Sequence, residues 1–94
     1  MEDRYYKNRK FSLLEKEGFY LGVDGRPVLH IDRIIGKVWD LCEVKTLEEI
    51  YHEMNQEIGV SRYLLKNILF LLVKADLIQS SAYPEEEDSG EEIK

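Results

Sequence analysis

The chain has 94 residues, 44% of them hydrophobic and 34% charged, with a net charge of -6 and one cysteine. That length implies one domain with a modest core and leaves no room for a deep active-site cleft. The single cysteine excludes a disulfide framework and a cysteine-built zinc site within one chain.

Residues 1–10 are polar, with four bases and two adjacent tyrosines, and read as a loose, flexible arm. This start lacks the apolar stretch of a secretory signal, so a cytoplasmic location is expected. "FSLLEKE" (11–17) reads as a first strand closed by Gly18, and "FYLGV" (19–23), rich in β-favouring residues, as a second. Asp24-Gly25 between apolar runs is a hairpin signal. "PVLHI" (27–31) is then a third strand, and Pro27 suits a strand start or a sheet edge because it has no N–H to donate.

Asp32 changes the regime, since its carboxylate can cap a helix. Ile35, Val38, Trp39 and Cys42 follow at helical spacing. "CEVK" breaks this helix. Thr46 and Glu49 form a T-x-x-E capping box for a second helix, with Leu47, Ile50, Tyr51 and Met54 on its apolar face and Gly59 at its end. Ser61 can cap a third helix over about 62–75. The body therefore reads as 11–79, an α+β domain of winged-helix-like architecture, with a three-stranded antiparallel sheet followed by three helices. Residues 80–94 read as a disordered acidic tail: 84–94 hold six acids and one lysine, while 1–83 hold 13 acids and 12 bases.

Little in this sequence points to catalysis. His30 and His52 stand alone, no phosphate-binding glycine loop is present, and Cys42 falls on the core face of the first helix. The carboxylates of "EVKTLEE" surround a helix start, where the dipole favours them. The chain is therefore expected to be no enzyme, with no metal site and no cofactor.

The third helix is more telling. Six consecutive apolar residues, Ile68 to Val73, wrap past a single stripe, yet the run is far too short for a membrane span, which takes about 20 residues. With Tyr63 at 0° and about 100° per residue, Leu71, Leu64, Ala75, Ile68, Leu72, Leu65 and Leu69 fall between about 80° and 240° and form the expected core face. The opposite arc carries Tyr63, Lys66, Asn67, Phe70 and Lys74. Aromatics beside lysines suit a groove wall for an acidic partner, although packing under the sheet would account for the aromatics equally. The third strand supplies a second wall. At the edge of a meander it can accept a peptide as an added strand. By alternation Leu29 and Ile31 face one way, Val28 and His30 the other. With Ile31 in the core, Val28 and His30 face outward.

The ordered pattern "HID…IIGKVWDLCEVKTLEEI…FLLVKADLI" resembles the PqqD-like proteins, the recognition elements of ribosomally made, post-translationally modified peptide pathways. The matching positions are Ile31 and Asp32 closing the third strand, then Ile35, Val38, Trp39 and Leu41. Thr46, Leu47, Glu49 and Ile50 follow, and Leu72, Asp76, Leu77 and Ile78 complete the match over residues 12–79. Asp32 stands for the usual Asn, Glu43 where a Gly often ends the first helix, and Asp76 for the Gly before Leu-Ile. The resemblance implies a chaperone-like role. The leader of a precursor peptide would lie along the third strand, beside the third helix, and be delivered to a modifying enzyme such as a radical S-adenosylmethionine enzyme or a cyclase. The expected peptide-binding residues are thus Val28, Leu29, His30, Ile31, Tyr63, Lys66, Asn67, Phe70 and Lys74. The rival readings are a winged-helix nucleic-acid-binding regulator, for which Arg62, Lys66 and Lys74 are few cations, and a general protein–protein adaptor. Self-pairing of the edge strand into a homodimer stays open.

Overall fold

A computed structural model describes residues 3–81; the acidic run 84–94 lies outside them. Among the described residues the architecture is α+β, with three helices and two three-stranded antiparallel sheets in place of the single sheet expected.

The first sheet is β2 (Ser12–Glu15), β3 (Phe19–Val23) and β4 (Arg26–Ile31), in that order. Its second turn follows from two residues. Asp24 (φ 54°) and Gly25 (φ 80°) are both left-handed between paired Val23 and Arg26, the backbone of a type I′ hairpin. The register shifts so that Leu29 pairs with Leu21 and Pro27 with Gly22, which leaves Val28 as a bulge residue. Pro27 sits on an edge strand, where its missing N–H costs no ladder bond.

The second sheet was not visible in the local pattern. Residues 4–7 belong to no loose arm: they form β1 (Arg4–Lys7), the central strand between β5 (Glu43–Thr46) and β6 (Ile78–Ser80). The "CEVK" segment that breaks the first helix is thus also most of a strand. Ser80, grouped with the tail on sequence, is buried at the end of β6. Val44 is the bulge residue of β5, in the left-handed region (φ 58°) that β-branched residues rarely adopt, and Arg4 donates to its carbonyl at 3.1 Å.

The helices are capped where expected. Asp32 accepts from the Ile35 N–H ahead of α1 (Arg33–Leu41). Thr46 and Glu49 exchange both bonds of the capping box ahead of α2 (Leu47–Met54), and Ser61 accepts from Leu64 ahead of α3 (Arg62–Lys74). The second helix stops short of Gly59. Asn55 ends it, its amide bonding the Tyr51 and Val60 carbonyls while its side-chain oxygen accepts from the Val60 N–H. At the end of α3 the Leu77 N–H reaches the Leu72 carbonyl (2.9 Å) and the Asp76 N–H that of Val73 (3.0 Å), with Asp76 left-handed at φ 65°. This is a Schellman ending with Asp where Gly is usual. Asp76→Gly removes the Cβ penalty, so we expect a gain of about 1 kcal/mol in urea unfolding.

The core joins Leu21 of β3, Val38 and Trp39 of α1, Ile50 and Met54 of α2, and Leu65 and Leu69 of α3. Trp39 is buried with its indole N–H donated to the Leu77 carbonyl at 2.9 Å, which ties α1 to the chain leaving α3. Lys7 reaches over Trp39, with its Nζ 4.9 Å from the ring centroid, and bonds Asp40 and Glu43. Among the described residues no helix is long and apolar enough to cross a membrane.

Candidate functional site

Three elements meet at the free edge of the first sheet. Among the described residues β4 pairs only with β3, so its outer backbone edge has no strand partner. Beside that edge lies an apolar groove of about 190 Å³. Leu29 and Ile31 come from β4, Ile35 from α1, Ile68 and Leu71 from α3 and Ala75 from the cap at its end, with Leu72 and Leu77 beneath. Leu71 is 62% exposed and Leu29 41%, although both are large and aliphatic. Leu71, Leu64 and Ala75 were expected in the core and are exposed. Helix α3 buries a narrower arc, Leu65, Ile68, Leu69 and Leu72, and leaves the Leu71 side toward β4 exposed.

The sequence-predicted site residues divide into separate groups. Leu29 and Ile31 line the groove. His30 turns away and stacks on its cross-strand neighbour Tyr20, with ring centroids 4.8 Å apart. Val28, 58% exposed, is the bulge residue and does not line the groove. The expected pairing of β4 with the aromatic–lysine arc of α3 is not what the fold builds. Tyr63, Lys66, Phe70 and Lys74 line two adjoining hollows against Tyr5 of β1, on the other flank of the helix, and Asn67 lines neither them nor the groove. The reason is rotational: Leu71 and Lys66 lie about 140° apart around α3, so one groove cannot hold both. The groove residues missed on sequence, Ile35, Ile68, Leu71, Leu72, Ala75 and Leu77, were hidden by their chemistry, since an apolar side chain reads as core until its neighbours are known.

Among the described residues that line the groove none is ionisable. Arg62, on the other flank, makes two 2.9 Å bonds to Glu48 and lies 4.1 Å over the Tyr51 ring. The bonds from Arg62 hold the Glu48 carboxyl below its usual range. Burial pushes the Cys42 thiol up to about 12 against the pull of Lys7 and Lys45, and its Sγ donates to the Val38 carbonyl at 3.2 Å. A thiol so held stays protonated at neutral pH and is a poor nucleophile. No cluster of three or more His, Cys, Asp or Glu side chains suited to a metal ion occurs among the described residues. What the groove can do is bind apolar side chains beside a row of backbone donors and acceptors.

No family model, curated protein or solved structure matches the chain.

Proposed function

We propose that the protein recognises an extended peptide, taking it as an added strand on β4 with its apolar side chains seated between β4 and α3. One observation carries this: an unpaired strand edge directly beside an open, almost wholly aliphatic groove. Main-chain bonds along such an edge supply affinity, and pockets for alternate side chains supply selectivity. The fitting ligand is a segment with apolar residues at alternate positions. In the terms of the resemblance to PqqD-like proteins, that segment is the leader of a precursor peptide, held for a modifying enzyme whose substrate concentration the protein raises locally.

The test is calorimetric titration with synthetic peptides covering the short open reading frames beside this protein's gene. One of them binds at micromolar affinity or better, and the amide resonances that shift are those of β4 and the Leu71–Ala75 flank. No binding at hundreds of micromolar, or shifts confined to the Tyr63–Phe70 flank, overturns the reading. Because Lys66 and Lys74 lie off the groove, Lys66→Glu with Lys74→Glu is expected to change this affinity less than twofold, within the range that screened surface charges produce.

Nucleic-acid binding through α3 is the second reading, motivated by Arg62, Lys66 and Lys74 on its exposed flank. Arg62 is already held by Glu48, and Asp3 shares the same surface, which leaves few cations for phosphates. Affinity for duplex DNA that collapses between low and moderate salt would favour it, whereas strand addition varies little with salt.

A further inference from the structure

The flank of α3 facing away from β4 carries a second surface that the peptide groove does not use. Lys66, Phe70 and Lys74 follow one another at four-residue spacing and so form one column along the helix. Phe70 is 58% exposed and Tyr63, near the start of the column, 77%. The Lys74 ammonium lies 5.7 Å from the centre of the Phe70 ring. Arg4, Lys7, Lys37, Lys45 and Arg62 each hold a carboxylate, but Lys66 and Lys74 have no acidic partner among the described residues. The hollow beside the column is closed by Val73 of α3, Tyr5 of β1 and Ser80 of β6, with Asp3 the one acid among the described residues that line it.

The chain leaves the described fold beside this hollow. Ser80 lines it, and Ser81 is fastened to Arg4 by two bonds, its N–H to the Arg4 carbonyl (3.0 Å) and its Oγ accepting from the Arg4 N–H (2.9 Å). Residues 82–94 follow, and 84–94 hold six acids and one lysine. Extended, 13 residues reach about 45 Å, whereas α3 is about 20 Å long, so every part of the column is within reach of the acidic run.

We infer that the Lys66–Phe70–Lys74 column binds this chain's own acidic segment, residues 84–94. Charge complementarity and the exit point of the chain carry the inference. A segment on so short a tether is presented at about millimolar concentration, so a contact too weak to hold a free peptide suffices. The contact lies on the flank opposite the peptide groove, and its fate is independent of the function proposed above.

Paramagnetic relaxation in the full chain tests it. Ser89→Cys takes a nitroxide label selectively, because the Cys42 thiol is buried and protonated. The label is expected to attenuate the amide resonances of Tyr63, Lys66, Phe70 and Lys74 while sparing those of Leu29 to Ile31. Lys66→Glu with Lys74→Glu restores the intensities, and so does about 1 M salt, where the screening length falls to about 3 Å. An excess of oligoglutamate displaces the segment with the same effect. Even attenuation across both flanks, or attenuation that survives the lysine reversals, overturns the inference. Column resonances that shift with oligoglutamate but are never attenuated by the label also overturn it, and mark the column as a site for an acidic segment of another protein.

Discussion

Leu71→Asp is expected to leave the fold standing and to weaken binding of the extended peptide at least tenfold, a loss of about 1.4 kcal/mol or more. Leu71 is 62% exposed, and polar substitutions at such positions usually change stability by no more than about 0.5 kcal/mol. Its side chain nevertheless forms the α3 wall of the groove opposite Leu29. A carboxylate there must lose water when an apolar ligand side chain enters. Circular dichroism melting and calorimetric titration of the same sample separate the two effects. If the variant binds as tightly as the parent, the ligand does not enter this groove. If it melts early, the leucine supports the core and its exposure misleads.

The second large effect compares neighbours on one helix. Leu69→Ala is expected to cost about 2–5 kcal/mol, because a side chain only 1% exposed leaves a cavity among Leu21, Ile50 and the other core residues. For a domain whose whole stability is about 5–15 kcal/mol, that is a large fraction. Phe70→Ala, one position on, removes a ring that stands 58% exposed and is expected to change stability by no more than about 0.5 kcal/mol. Urea unfolding of both variants checks the pair. Equal losses would mean that Phe70 packs on something other than the described residues and that the column on α3 is not an open surface.

What the sequence determined by itself was everything that local chemistry decides. Asp-Gly demands a turn with two left-handed residues, and one forms at Asp24 and Gly25. Asp32, Thr46 and Ser61 have side chains short enough to reach the N–H groups three residues on, and each caps a helix. The alternation that sends Ile31 to the core and the spacing that buries Val38 and Trp39 were legible for the same reason. The tertiary structure alone decided the rest. β1 is a strand because Glu43–Thr46 and Ile78–Ser80 come to lie on either side of it, contacts tens of residues away that leave no mark on "RYYK". The C-terminal part of α2 gave way to Asn55 because that amide could grip Val60 across the loop. The rotation of α3 is the deepest case. A helix apolar around most of its circumference does not specify which leucines it buries; the line along which the body meets it does. That line left Leu71 and Ala75 open beside β4 and turned Lys66 and Phe70 toward β1, so the two surfaces that read as one groove stand on opposite flanks of a single helix.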